Sequence, residues 1–398
     1  MKEWLIVLLL LGGSVNIHEA ERVYDQYLDD RDLAQDDTIT LCYEGLFFLY
    51  LYKENNNPTV LDRGERCLDI IIERQRDSGE ITNDPNVNSK LYTGVGTWAL
   101  SLGYDITGKE KYKKAALRGG NFLIEEIEAW KRAYPMECPD ERNENARHNG
   151  EVRNSLENYC YSCPNDWGLI CAGLGGIVHH TGEEGRYYEY AVLLGETLYR
   201  MQLENGAWYD GYALKIPTRW DISCHYVTMA VLGEWISYTI TGDEKYRDSV
   251  EKAVRWMESM QSEKGVYDIY ITERNFPHAK ENFVGDPQQK CDFKQLQGKT
   301  NVKRYYPSPG KTMLGEYSLF LAETLAGDIG IETNREETFE YIKGKHGYSH
   351  WYILSLVLKE ERSERNKTEK NIIGYILIGV IAAGLIGWMA KKRKNGKE

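Results

Sequence analysis

The densest run of chemistry-bearing side chains lies between residues 208 and 226. Trp208-Tyr209-Asp210-Gly211-Tyr212 is followed by Arg219-Trp220-Asp221 and then by Cys224-His225-Tyr226. Upstream, Asn165-Asp166-Trp167 again sets an acid beside an indole. Sugar rings have apolar faces and hydroxyl rims. Trp167, Trp208, Tyr209, Tyr212, Trp220 and Tyr226 offer rings to stack on the faces, and Arg219 and the aspartates can bond the rims. Hydrolysis of a glycosidic bond needs a proton donor and a second carboxylate, whose separation sets the stereochemical outcome; Asp166 and Asp221 are the candidate pair. Elimination at a uronate needs a base near the α-proton and a cation for the enolate. His225 or Tyr226 would be the base and Arg219 the cation.

Each of these residues also has an ordinary structural use. Asp36, Asp37, Asp166 and Asp221 stand where a helix N-cap or first-turn acid belongs. Trp167, Trp208 and Trp220 can fill a core, and a histidine beside a tyrosine is commonly a satisfied core residue. Glu44 and Glu316 interrupt apolar stretches, where a carboxylate needs a partner or a role. His179-His180 ends a helical stretch and suits its terminal carbonyls. His346 and His350 share a face but have no third ligand nearby. Cys160-Tyr-Ser-Cys163 has no second pair, as a zinc ribbon would require. No metal or cofactor is expected.

The elements that must position these residues repeat along the chain. Thr107-Gly108-Lys109-Glu110-Lys111-Tyr112 is echoed by Thr241-Gly242-Asp243-Glu244-Lys245-Tyr246, and more loosely by Thr181-Gly182-Glu183-Glu184-Gly185-Arg186-Tyr187. Glycine closes one helix and acids open the next, so each copy reads as the turn of a helical hairpin. A second signature, Gln-x3-Gly-x-aromatic, occurs at Gln202-Gly206-Trp208 and Gln261-Gly265-Tyr267, with a degenerate copy at Gln75-Gly79-Ile81. The pattern predicts first helices near 38–54, 91–106, 165–180, 219–240, 311–326 and 347–359. Partners are predicted near 59–76, 109–130, 184–203, 243–262 and 334–343, with long loops at 131–164 and 263–308.

Hairpins that each bury one face must stack. Five or six can close into a ring with first helices inside and partners outside. On these signatures, residues 38–359 resemble the α/α-toroid superfamily, which includes six-hairpin glycosidases, polysaccharide lyases and the terpenoid-cyclase and prenyltransferase folds. The Gln202–Trp208 form is similar to the repeat of the cyclases. The resemblance implies an all-α toroid of five to six hairpins with its site at one mouth of the ring. The Asp-x-Asp-Asp motif of squalene-type cyclases and the Arg-Gly-Asn-Gly-Trp run of unsaturated glucuronyl hydrolases are both absent, so no subfamily's catalytic residues carry over. A carbohydrate-active hydrolase or lyase is one expectation, and a non-catalytic glycan- or protein-binding scaffold is the alternative.

The two ends set the expected topology. Lys2 precedes an apolar run from Trp4 to Leu11 and then Gly12, Gly13 and Ser14. This is the layout of a secretory signal, here expected over 1–20 with cleavage near Ala20. Ile372 to Ala390 carries no charge and matches a bilayer-spanning helix of about 20 residues. Basic residues crowd 391–398, which places the C-terminus in the cytoplasm and the 21–360 domain outside, joined by a linker at 361–371. Of the net charge of −12, the last eight residues contribute +4 and the first twenty −1, which leaves −15 on the segment between. Such a segment is a poor nucleic-acid binder and suits a polysaccharide or other surface ligand. Eight cysteines in an exported domain suggest disulfides, with Cys42 and Cys67 the first candidate pair. Cys171 and Cys224 fall about two helical turns out of level. Asn366-Lys367-Thr368 is a glycosylation sequon.

Overall fold

The computed structural model describes residues 17–25, 32–82, 89–133, 161–162, 164–208, 211–213, 216–219, 224–259, 261–262, 265–266, 268–270, 303–305, 314–343 and 350–358. All belong to one compact unit, Met1–Leu358. A first helix, α1, covers 17–25. It is followed by α2 (Thr38–Asn55), α3 (Pro58–Glu73), α4 (Ser89–Thr107), α5 (Glu110–Ala133), α6 (Pro164–Thr181) and α7 (Arg186–Met201). Then come α8 (Cys224–Thr241), α9 (Glu244–Ser259), α10 (Leu314–Asp328), α11 (Arg335–Ile342) and α12 (His350–Val357). Short strands lie in the connections: β1 (Tyr161–Ser162), β2 (Gly211–Ala213), β3 (Ile216–Arg219), β4 (Gln261–Ser262), β5 (Gly265–Val266), β6 (Asp268–Tyr270) and β7 (Lys303–Tyr305).

The helices split into two kinds. Helices α2, α6 and α8 are apolar nearly all round and bury both flanks. Helix α3 buries a single stripe, Val60, Gly64, Cys67, Leu68 and Ile71, at the spacing of one helical face. The first kind forms an inner ring. Helix α2 packs on α4, α4 on α6, α6 on α8, α8 on α10, α10 on α12, and α12 returns to α2. Helices α3, α5, α7, α9 and α11 each pack outside their inner partner. Each outer helix carries the chain back, so the inner helices run in one direction and open at the same mouth.

The sixth outer position is taken by α1. Tyr352 of α12 donates to Glu19 at 2.7 Å, Asn55 of α2 donates to Glu21 at 3.4 Å, and Tyr24 sets its ring edge-on to Phe48 at 6.0 Å. Ala20, Val23 and Tyr24 are buried in the core. The expected signal boundary at Ala20 therefore falls inside a packed helix.

The repeated turns work as hydrogen-bond devices. Thr107, Thr181 and Thr241 each donate to a carbonyl four residues back, at 2.6–2.7 Å. Each also accepts from the amide two residues on, at 3.1–3.3 Å. Gly108, Gly182 and Gly242 hold φ of 66–72°, the left-handed cap that ends the inner helix. After α2, Asn56 at φ 51° takes this place. Tyr112 and Tyr246 plug into the core behind the turns, while Lys111 and Lys245 lie over their rings and reach Asp69 and Glu196 of the preceding outer helix.

Close inner-helix packing depends on glycine. A Cβ on Gly168 would collide with the Met229 carbonyl, and one on Gly94 would lie 2.5 Å from the Leu169 carbonyl. Backbone cannot rotate aside as a side chain can. Gly168→Ala is expected to cost about 1–3 kcal/mol or more through overpacking. Thermal denaturation checks this, and an unchanged midpoint would contradict the packing described.

Helix bounds follow the sequence pattern closely, with two corrections. The partner helix expected over 243–262 is described to Ser259, and Gln261–Ser262 form β4. Arg219 does not open α8. Arg219 ends strand β3, and the helix begins at Cys224.

The cysteine expectation also needs correction. Cys42 and Cys67 are both buried free thiols, as are Cys171 and Cys224. The Cys42 thiol turns toward α4, donating to the Tyr92 carbonyl at 3.7 Å. Cys67 packs instead against Gly45, a turn further along α2. Burial pushes both thiols well above their ordinary range, which makes them poor nucleophiles. Cys171 lies level with Gly233 and Ser237, at 3.5 and 3.6 Å, rather than with Cys224.

Among the described residues no helix is long and apolar enough to cross a membrane. The span expected at 372–390, the linker, the tail, Asn366 and residues 1–16 lie outside them.

Candidate functional site

The mouth at the inner-helix starts is assembled by two neighbouring connections. Strand β1, just ahead of α6, pairs antiparallel with β2, and β2 pairs with β3 ahead of α8. Tyr161 stands opposite Ala213, Ser162 opposite Tyr212, and Gly211 opposite Arg219. The segments bearing Asp166-Trp167 and 208–226 are thus joined by a three-stranded sheet.

The helix contact below the sheet fixes the level of the side chains. Gly168 meets Met229 backbone to backbone. Asp166 and Trp167 precede Gly168, and His225 and Tyr226 precede Met229 by about one turn. Both pairs lie on the mouth side of this contact. Asp166 is buried at the third position of α6, and Trp167 is buried beside it. His225 and Tyr226 are partly buried with ring centroids 4.2 Å apart. Burial pulls the His225 imidazole down to about 4, so it is neutral near pH 7.

Beneath the mouth the ring is filled. Tyr43 of α2 reaches across to Met229 Sδ at 4.0 Å, between helices that are not neighbours in the ring. Deeper, Trp98 lies 6.3 Å from Tyr50 and 6.5 Å from Trp235, whose indole N–H donates to Asp328 at 2.8 Å. A ligand at this mouth would rest on a floor near Tyr43 and Met229.

Solved structures of the same architecture bear on what the mouth can do. The chain is similar to the GH76A α-1,6-mannanase from Salegentibacter sp. HEL1_6, with 14% identity, 87% of this chain and 96% of that one covered, and a TM-score of 0.53. It is also similar to an unsaturated glucuronyl hydrolase specific for heparin, with 9% identity, 86% and 94% coverage and a TM-score of 0.51. The unsaturated glucuronyl hydrolase from Bacillus sp. GL1 aligns with 11% identity, 88% and 96% coverage and a TM-score of 0.50. The fold is the α/α toroid. No protein-family model and no curated protein sequence matches the chain. An inactive variant of the mannanase is known in complex with α-1,6-mannotetrose.

Within the toroid, the sequence-derived candidates separate. Asp166, Trp167, His225 and Tyr226 share the mouth. Tyr212 and Arg219 lie on the sheet above it. Tyr209, Trp220 and Asp221 lie outside the described residues. Trp208 is corrected from a stacking platform to a structural plug: it is fully buried, and its indole N–H donates to the Leu198 carbonyl at 2.8 Å. Asp37 caps α2 by accepting from the Thr40 amide at 2.8 Å. His180 does more than meet terminal carbonyls, since its Nδ1 lies 3.3 Å from Asp105 at the opposite end of the ring.

Two buried acids escaped the sequence reading. Glu234 of α8 faces Ser249 of α9, and Glu323 of α10 faces Thr338 of α11. Burial raises both, Glu323 to about 8. They point outward between the helix layers, away from the mouth. Their signal was an acid flanked by apolar residues, as in Leu232-Gly233-Glu234-Trp235. Among the described residues no cluster of three His, Cys, Asp or Glu could hold a metal ion. A groove of about 500 Å³ lined by Asn205, Asp248, Lys252, Arg255, Trp256 and Ser259 lies on the outer helix α9.

Proposed function

We propose that the chain is a membrane-anchored cell-surface carbohydrate-active enzyme that cleaves glycosidic bonds at the mouth where α6 and α8 begin. The supporting observation is the buried Asp166 in the first turn of α6, beneath a sheet that joins this helix start to the aromatic-rich 208–226 segment. The fold likeness to a mannanase and to glucuronyl hydrolases supports the same reading. Asp166 serves as one carboxylate of a hydrolytic pair and Asp221 as the other. One protonates the leaving oxygen, and the other activates water or attacks the anomeric carbon. Trp167, Tyr212 and Tyr226 offer stacking area. Hydrolysis is favoured over elimination because a histidine held near 4 is a weak base for a uronate α-proton. The −15 charge of the 21–390 segment also favours neutral glycans.

The test is a panel of neutral and acidic polysaccharides, read both for new reducing ends and for ultraviolet-absorbing unsaturated products. Reducing ends without absorbance are expected. Asp166→Asn is expected to keep the melting temperature and lower turnover about a hundredfold, in the range of lost acid–base catalysis. Unsaturated products would replace hydrolase by lyase. Full activity in Asp166→Asn would remove that residue from the site.

A further inference from the structure

The groove on α9 carries chemistry of its own. Its volume of about 500 Å³ falls within the ~300–1,000 Å³ of small-ligand sites. One wall is α9 itself, from Asp248 to Ser259, about 16 Å of helix. The other wall is the Gln202–Gly206 turn, where Gly206 packs against the Lys252 carbonyl and Asn205 reaches the groove. Outer helices run back toward the mouth, so the Ser259 end lies at the mouth end of the toroid. There the chain also passes from Trp208 toward β2. Trp256, 7% exposed, gives the groove an apolar base. Its charges balance, with Asp248 and Glu251 against Lys252 and Arg255. Several of its groups are held in place. Asn205 accepts from the Ala207 amide at 3.0 Å, and the Ser259 hydroxyl donates to the Trp256 carbonyl at 2.7 Å. Arg255 donates to Glu258 and to the Glu332 carbonyl, both at 2.9 Å.

The first copy of the same repeat uses this place differently. Aligned on the Thr-Gly turns, Arg118 of α5 holds the position of Lys252, and Leu117 that of Glu251. Arg118 turns back onto its own hook and donates to Gln75 Oε1 at 2.5 Å. Lys252 makes no such bond to Gln202. It is exposed and, among the described residues, has no hydrogen-bond or ion-pair partner. The cation and the added acid are thus left to the groove. We propose that the α9 groove is a second glycan site, which holds a neutral oligosaccharide segment beside the mouth. Asp248 and Glu251 accept from sugar hydroxyls, Lys252 donates to sugar oxygens, and Trp256 supplies apolar contact for a ring face. Balanced wall charges give an anionic chain no electrostatic advantage. Groups already held in place lower the ordering cost of binding. The choice of a glycan as ligand rests on the carbohydrate reading of the mouth.

Titration calorimetry of the full chain tests this through stoichiometry. The probes are neutral tetrasaccharides of mannose, glucose and xylose, a heparin tetrasaccharide and a mixed-charge peptide. The parent is expected to bind a neutral tetrasaccharide at two sites, the mouth and the groove. The double variant Asp248→Ala/Lys252→Ala changes two exposed side chains, so it is expected to keep the melting temperature. Its groove site is expected to weaken about tenfold or more, from lost hydrogen bonds to charged groups, while the other site still titrates. The two readings fail differently. If the mouth binds no glycan, the parent takes up one tetrasaccharide and the double variant none, which still supports the groove. A double variant that titrates as the parent does overturns the proposal. So does a parent that binds none of the neutral tetrasaccharides, or a groove that takes up only the heparin fragment or only the peptide.

Discussion

Replacing Trp208 by alanine is expected to destabilise the domain by about 3–5 kcal/mol, the range for emptying a buried large aromatic site. The indole is fully buried and ends the Gln-x3-Gly-x-aromatic signature. The signature is a lock between successive outer helices. Gln202 donates from one amide nitrogen to the Gly206 carbonyl at 3.0 Å and to the Ser249 carbonyl of α9 at 2.8 Å. Gly206 turns the chain at φ 95°, where a Cβ would collide with the Lys252 carbonyl. The copy at Gln75 repeats both bonds, to the Gly79 carbonyl at 3.1 Å and the Ala115 carbonyl at 2.9 Å, with Ile81 in the plug position. Trp208→Phe keeps most of the volume and loses one hydrogen bond, so it is expected to cost only about 1–2 kcal/mol. Trp208 also stands three residues ahead of β2, and its loss is expected to loosen the sheet over the mouth and weaken the glycan binding proposed above. Denaturant unfolding ranks the two variants. Equal, small effects for both would return Trp208 to the role of an exposed platform.

This lock shows why much of the fold was legible in the sequence. Thr-Gly turns and Gln-x3-Gly hooks are local: each is satisfied within a few residues and one neighbouring helix, so their residue types recur at readable spacing. The inner helices announced themselves by being apolar on every side. The sixth outer position was not readable, because α1 meets α12 across 333 residues of chain, where Tyr352 donates to Glu19. The start of α8 was misplaced for a related reason. Arg219-Trp220-Asp221 has the composition of a helix start, but pairing of β3 with β2 claims Arg219 first. Cys42 and Cys67 lie on the two helices of one hairpin, yet shared membership of a hairpin does not say which way a side chain rotates, and Cys42 turns to α4. At the site, residue types suggested Asp166 and Trp167, whereas the floor residues Tyr43 and Met229 read as ordinary core. Only their meeting across the ring gives them a place beneath the mouth.

Glu323 carries the other large effect, and its sign follows from burial. Its carboxyl is raised from the ordinary 4.5 to about 8 because desolvation disfavours the charged form, with Thr338 and Arg335 offsetting only part of that. The folded state therefore holds a proton that the unfolded state releases above about 4.5. Stability linked to this group is fully present below 4.5 and declines as pH rises toward 8. At pH 7 the decline amounts to roughly 3 kcal/mol, from about 1.4 kcal/mol per pH unit over the interval. Glu323→Gln keeps the shape but cannot ionise. The variant is expected to match the parent near pH 4 and to exceed it by about 3 kcal/mol at pH 7. Glu234, buried against Ser249 and raised in the same direction, is expected to behave likewise in Glu234→Gln. Both acids face outward between helix layers, so neither substitution is expected to change glycan turnover. Urea unfolding of parent and Glu323→Gln across pH 4–8 measures the difference directly. If the two stability curves stay parallel over that range, Glu323 is not the proton-holding group that its burial between α10 and α11 implies.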